Sequence, residues 1–344
     1  LEEEINKLSK FLNSDFTLTQ SNYVNQFEKD FGEYISNSNT IALMSAAHSL
    51  DLIAKRIKSR TKKRKILIPA HTYCATALSF IREGFKVKFI DIDEDELVVN
   101  NKIIENNLED DVAAVVVVHL YGLVSTDIKR ISETCFKNNV YLVEDCAQAM
   151  GGFLNGIHCG NFGDYACFSF HSQKNLTTLG EGGMLVCKDK SEINIFKELR
   201  INGHRMFERD NPSDYWKPAM IDVVETVKNI IPMKSTMNES QALMGIQVLK
   251  RFKKLKEYRR KISQLLYDGL LDLDSFRFQK LTGSKQHANH LFPIKLINNK
   301  IDRDYLINKL SVDYGIQAIV QFYPLNRYDL FKKNKITTDS LTNT

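Results

Sequence analysis

The chain has 344 residues, enough to bury a substantial core, and that length suits one large α/β domain with a smaller companion. Hydrophobic residues make up 43% and charged residues 26%, too apolar a balance for a disordered chain, and a formal net charge of +5 is small for this length. The densest basic run, residues 58–65, stands before an apolar strand-like segment without interleaved aromatics, so it reads as a solvated turn and no nucleic-acid partner is expected.

The chain opens on the acidic stretch Leu1-Glu2-Glu3-Glu4, unlike a secretory leader, and no window is apolar enough to cross a bilayer. A cytoplasmic protein with no membrane partner is expected. A helix is predicted to open at Ser45-Ala46-Ala47, with Leu50, Ile53, Ala54 and Ile57 at helical spacing. Between residues 66 and 187, short apolar runs at 66–69, 87–92, 113–120, 140–145, 165–170 and 184–187 alternate with helix-like stretches. Several runs are apolar throughout, as strands buried on both faces must be, which argues for a largely parallel sheet covered by helices. Residues 126–138 place Ile128, Ile131 and Cys135 on one helical face, with Ser125 or Thr126 as the expected N-cap. From residue 238 the texture changes to long amphipathic helices, a strand-like stretch at 291–296, a turn at Tyr323-Pro324 and a polar tail at 337–344. The expected division is a large domain over residues 1–237 and a smaller C-terminal α+β domain over residues 238–344.

Six cysteines (Cys74, Cys135, Cys146, Cys159, Cys167 and Cys187) show neither CxxC spacing nor histidines at metal-site intervals. They read as reduced core thiols, and no metal is expected.

In an open α/β sheet, ligands gather at the carboxyl ends of the strands, so the residues after each apolar run come first. One run ends in Glu144-Asp145-Cys146-Ala147-Gln148, where Asp145 either serves a ligand or caps a following helix. Another ends in Phe168-Ser169-Phe170-His171-Ser172-Gln173-Lys174-Asn175, followed by Gly180-Glu181-Gly182-Gly183. A lysine there is placed to bond an aldehyde if its surroundings lower its pKa, although most lysines are solvated surface charges. The helix opening at Ser45-Ala46-Ala47 offers free N–H groups to a phosphate. A lysine for an aldehyde, an anion for a ring nitrogen and donors for a phosphate are together what pyridoxal 5'-phosphate requires.

These residues, with Pro69-Ala70-His71-Thr72-Tyr73-Cys74-Ala75-Thr76, Phe89-Ile90-Asp91-Ile92 and His119-Leu120-Tyr121-Gly122, carry a close resemblance to the sugar aminotransferases of the DegT/DnrJ/EryC1/StrS family. Weaker matches at Thr19-Gln20, Phe27-Glu28, Met237-Asn238-Glu239-Ser240-Gln241-Ala242 and Gly315-Ile316 extend it over nearly the whole chain. The resemblance implies the three-layer α/β fold of the type I, PLP-dependent aminotransferases. It also implies transfer of an amino group from glutamate to a nucleotide-linked sugar with a keto group at C3 or C4, pyridoxamine 5'-phosphate being the intermediate form of the cofactor. It makes Lys174 the cofactor's covalent anchor and the proton-shuttling base, and Asp145 the partner of the ring nitrogen. Tyr73 is expected to stack on the ring, Gln148 to contact the ring region, and Ser169 and the amides of Ala46 and Ala47 to hold the phosphate. Without the resemblance, Tyr73 reads as core packing. His119 and His171 are left out of catalysis.

Three departures from the family pattern stand out. Ala46-Ala47 replaces Gly-Thr or Gly-Ser, so a hydroxyl is missing at the helix start; Lys234-Ser235-Thr236-Met237 replaces Asn-x-Arg-Met; and Gln321-Phe322 replaces His-Tyr. The resemblance implies a homodimer with active sites at the subunit interface, where Lys234 is expected to reach the partner's phosphate site. Two alternatives within the family stay open, a sugar dehydratase using the same cofactor and a non-catalytic regulatory protein. A nicotinamide dehydrogenase is disfavoured because no GxGxxG follows an early strand.

Overall fold

The computed structural model describes residues 2–19, 21–206, 220–297, 301–333, 337–338 and 341–342. Leu1, Gln20 and part of the 337–344 tail, all mentioned above, lie outside the described residues.

An eight-stranded sheet contains β1 (Thr40–Leu43), β2 (Lys65–Pro69), β3 (Lys86–Ile90), β4 (Val112–Val118), β5 (Tyr141–Asp145), β6 (Tyr165–Ser169), β7 (Gly183–Cys187) and β8 (Thr337–Thr338). Their order is β1-β7-β6-β5-β4-β2-β3-β8. β7 runs antiparallel to both neighbours, and every other pairing is parallel. Strands β2 to β7 fall on the six predicted runs. β1 was not anticipated, because four residues buried on both faces show no alternation.

Helices α1 (Glu2–Leu12), α2 (Asn22–Ile35), α3 (Ala46–Arg60), α4 (Cys74–Arg82), α5 (Asn101–Asn107), α6 (Ile128–Lys137) and α7 (Glu192–Leu199) precede the long α8 (Glu239–Leu270). The sheet separates two cores, which makes three layers. Val115 and Val117 of β4 enter the core that contains Phe27 and Phe31 of α2, whereas Val116 and Val118 enter the core of Leu50, Ile53 and Phe80 from α3 and α4. Period-two alternation thus serves two apolar faces, which is why β4 carries no polar residue. On the first face Phe27, Phe31, Phe168 and Phe170 meet edge to face at centroid distances of 5.1–6.2 Å. Each such pair contributes about 0.5–1.5 kcal/mol beyond its buried area.

The start of α2 is set by a distant residue, and that of α6 differs from the one expected. The first turn of α2 lacks a cap from its own Ser21 side chain; the buried Glu239 carboxylate instead accepts the N–H groups of Ser21 (2.6 Å), Tyr23 (2.7 Å) and Val24 (3.2 Å). α6 buries Ile128, Ile131 and Cys135 as predicted, but its N-cap position is Asp127. Neither expected cap acts, because the Ser125 hydroxyl donates to the Val99 carbonyl (3.0 Å) and the Thr126 hydroxyl to Glu96. The basic run at 58–65 is only partly a turn: Lys58 and Arg60 occupy the last turn of α3, where cations suit the helix dipole, and Lys65 opens β2.

Beyond α8, whose Asn238 and Gln241 form a capping box, Phe276–Phe278 pairs with Ile294–Leu296 in a separate two-stranded ribbon. α9 (Arg303–Tyr314) and α10 (Asp329–Lys333) follow, and β8 returns the chain to the sheet edge beside β3. Where several long helices were expected after residue 238, α8 alone spans 32 residues. No helix among the described residues is long and apolar enough to cross a membrane.

Candidate active site

Because β1, β2, β4, β5 and β6 run parallel, their carboxyl ends lie along one edge of the sheet, and β7 begins at that edge. This brings together the segments following each strand: Ser45-Ala46-Ala47, Thr72-Tyr73, His119, Asp145 and Ser169.

Asp145 ends β5 and is 5% exposed. Its Oδ2 accepts the Thr76 hydroxyl (2.8 Å) and its Oδ1 the Ala147 N–H (3.1 Å). Turns, not a helix, follow it, so the capping reading falls away. Lys174 sits in the loop after β6, where its N–H donates to the His171 carbonyl (2.9 Å). Burial lowers the Lys174 pKa below the ordinary lysine value, against the opposing pull of Asp145 and then Cys167. The amine and the Asp145 carboxylate are therefore electrostatic neighbours, and desolvation outweighs their attraction.

The glycine cluster brings β7 against the start of α3. A Cβ on Gly183 would stand 2.3 Å from the Ser45 carbonyl carbon and 2.5 Å from the Ala46 nitrogen, and one on Gly182 would stand 2.0 Å from Thr178 Oγ1. Gly183→Ala must displace backbone, at a cost of about 1–3 kcal/mol. A calorimetric scan should show a lower thermal midpoint; an unchanged one would mean that the helix start can retreat freely. Ser45 caps α3, its Oγ accepting the His48 N–H (3.2 Å) and lying 2.7 Å from His48 Nδ1. The first-turn N–H groups of Ala46 and Ala47 have no acceptor within the helix.

Tyr73 is 59% exposed and its ring centroid lies 5.9 Å from that of Phe322, so it does not fill the core. Ser169 is half-buried, its Oγ 3.4 Å from the His171 N–H. Gln148 is buried, and its Oε1 accepts the Tyr121 N–H (2.7 Å), holding a turn in which Tyr121 has φ +61°. Lys234 is exposed on the segment whose Ser235 carbonyl accepts the Met44 N–H (2.9 Å), just before the cap of α3. Its side chain is thus on the surface of its own subunit rather than among the buried site residues.

His119 is fully buried, 2.9 Å from Glu144. Glu144 also accepts the N–H groups of Gly160, Phe162 and Gly163 at 2.7–2.8 Å. His119, Glu144 and Cys146 present ligand atoms within 4.8 Å of one another, but Glu144 already accepts four donors and has little left for a metal. All six cysteines are free. Sequence reasoning passed over Thr76, whose hydroxyl orients Asp145 from 69 residues away, and the Asn175–His290 contact, 115 residues apart. Local spacing carries no signal for either pairing.

The sequence profile of the DegT/DnrJ/EryC1/StrS aminotransferase family matches residues 1–344. Among curated proteins, the chain is 30% identical over 339 residues to the uncharacterized protein MJ1066 of Methanocaldococcus jannaschii, covering 96% of this chain and 84% of that one. It is 28% identical over 337 residues to UDP-4-amino-4,6-dideoxy-N-acetyl-beta-L-altrosamine transaminase of Campylobacter jejuni, covering 96% and 84%. Among solved structures, the PMP form of Spr1654 from Streptococcus pneumoniae superposes with a TM-score of 0.86 at 22% identity, covering 98% of this chain and 87% of that one.

The three-layer sheet is therefore that of the type I PLP-dependent aminotransferases. The chain belongs to the DegT/DnrJ/EryC1/StrS aminotransferase family.

Proposed function

We propose that this aminotransferase uses pyridoxal 5'-phosphate to move an amino group from glutamate to a nucleotide-linked keto sugar, at C3 or C4. The observation that carries this reading is the half-buried Lys174 amine, its pKa lowered by desolvation, beside the buried Asp145 carboxylate at the carboxyl edge of the sheet.

The residues fit the cofactor. The close approach of Gly183 to Ser45 and Ala46 leaves the start of α3 without side-chain cover there, a cradle that a Cβ would fill. First-turn amides of Ala46 and Ala47, with the Ser169 hydroxyl, would hold the phosphate. Asp145 would face the ring nitrogen, steadied by Thr76 and Ala147, while Tyr73 would cover the ring and Gln148 border it. When bound, the cofactor supplies an aldehyde and a ring that accepts electrons. Lys174 would hold that aldehyde and would carry a proton to or from the donor carbon, a role that calls for the neutral amine toward which burial shifts it.

The Campylobacter jejuni relative is a transaminase of a UDP-linked sugar, and a Vibrio cholerae relative, 26% identical over 326 residues, is a GDP-perosamine synthase. Both names support a nucleotide sugar as acceptor. The chain divides, in this reading, into residues 1–237, which carry these groups, and residues 238–344. Six free thiols suit a reducing cytoplasm. The test is to incubate purified protein with glutamate and a panel of nucleotide-linked keto sugars and to follow 2-oxoglutarate. Release dependent on one sugar supports the reading; bound cofactor with a silent panel favours a regulatory protein.

The site is completed, we further propose, by a second copy of the chain, with Lys234 reaching the partner's phosphate site to offset the hydroxyl missing at Ala46-Ala47. A charge-assisted hydrogen bond contributes about 1.5–3 kcal/mol. Lys234→Ala should weaken cofactor binding by about tenfold or more, measured by fluorescence titration. Wild-type affinity in that variant would return Lys234 to the solvated surface.

A further inference from the structure

Asn175 follows Lys174 directly and is buried. Its Nδ2 donates to the carbonyls of Ala288 (2.9 Å) and Met150 (3.4 Å), and its Oδ1 lies 3.2 Å from Nδ1 of the buried His290. With the amide nitrogen committed to carbonyls, Oδ1 is the acceptor and His290 carries its proton on Nδ1.

The segment that presents His290 is held from several directions. Ala288 N–H donates to the Gly122 carbonyl (2.8 Å), and the N–H groups of His290 and Leu291 donate to the Tyr121 carbonyl (3.1 Å each). Arg259 of α8 donates to the His290 carbonyl (3.2 Å). A Cβ on Gly122, at φ +118°, would stand 2.9 Å from the Asn289 nitrogen, so the two backbones touch. Burial first, then the charges of Lys174, Arg259 and His287, push the His290 pKa down to about 3. The Lys174 amine is thus within electrostatic reach of the ring.

We propose that Asn175 and His290 are positioning residues for Lys174: Asn175 locks the lysine loop to the 287–291 segment, and His290, donating from Nδ1 to the Asn175 Oδ1, fixes the carboxamide that directly follows Lys174 in the chain. The proposal rests on the cofactor reading above.

The test uses cofactor-loaded protein and the rate at which glutamate bleaches its visible absorbance, so no sugar is needed. His290→Leu removes the donor to Asn175 and should slow bleaching about tenfold, the factor equivalent to about 1.4 kcal/mol, with cofactor content unchanged. His290→Asn, whose amide nitrogen can stand near the Nδ1 position, should restore most of the rate. Asn175→Asp introduces a carboxylate beside the lysine loop, which stabilises a nearby cationic nitrogen. The pH midpoint of the bound cofactor's absorbance should therefore move upward by about one unit. A purely structural role would lower the thermal midpoint of these variants and leave the absorbance midpoint where it is.

Wild-type bleaching in His290→Leu, equal impairment in His290→Asn and His290→Leu, or an unmoved absorbance midpoint in Asn175→Asp overturns the proposal. If His290→Leu does not fold, the Asn175→Asp midpoint decides alone. A wild-type chain that takes up no cofactor overturns the functional reading and this proposal with it. Normal wild-type loading with unresponsive variants overturns this proposal only.

Discussion

Lys174→Ala yields a folded protein that loses its cofactor on dialysis and whose transamination is at least about a thousandfold below wild type, within the range for losing a positioned proton-transfer group. Two roles disappear together, the covalent hold on the aldehyde and the base at the donor carbon. Asp145 does not replace them, because it is committed to Thr76 and Ala147. The fold should not suffer. Burial lowers the Lys174 pKa, so between its folded and unfolded values the unfolded chain binds more protons. Keeping this lysine buried therefore opposes folding in full below the folded pKa, and the cost vanishes as pH rises through the ordinary lysine value. Removing it should leave the thermal midpoint at pH 7 no lower than wild type's. The measurements are absorbance after dialysis, 2-oxoglutarate release and a thermal scan. Full activity in Lys174→Ala would end the assignment.

Asp145→Asn should retain cofactor yet lose turnover by about a hundredfold to a thousandfold, the scale of removing one preorganised electrostatic partner. The substitution keeps the shape and removes the charge. At present two donors, the Thr76 hydroxyl and the Ala147 N–H, point into the carboxylate and orient it. Asparagine offers one acceptor oxygen, so one of those donors meets an amide N–H group unless the hydroxyl turns. A neutral partner also cannot favour a protonated ring nitrogen in a buried site. Cofactor content and turnover, measured on the same preparation, separate the two effects. Undiminished turnover would reduce Asp145 to a turn-forming residue.

Much of the fold was legible in the chain. The six apolar runs became β2 to β7, because a strand buried on both faces must be apolar at every position, and β4 shows it. Asp145 and Lys174 were found because they lie directly after such runs, where parallel strands deliver side chains to one edge. The helix at Ser45-Ala46-Ala47 was legible from its apolar spacing. Other readings depended on partners that no local window contains. Tyr73 resembles a core aromatic in sequence, and only its place at the rim beside Phe322 shows that it is exposed.

What the chain alone determined was which longer segments are buried on both faces and which residues stand at their carboxyl ends, since unbroken apolar runs mark both. What only the tertiary structure decided was which distant groups meet. Glu239 caps α2 across more than 210 residues, Thr76 aligns Asp145, and Asn175 finds His290. Those pairings depend on the strand order and on where α8 and the 287–291 segment pack, and a buried polar group bonds whatever partner that packing provides.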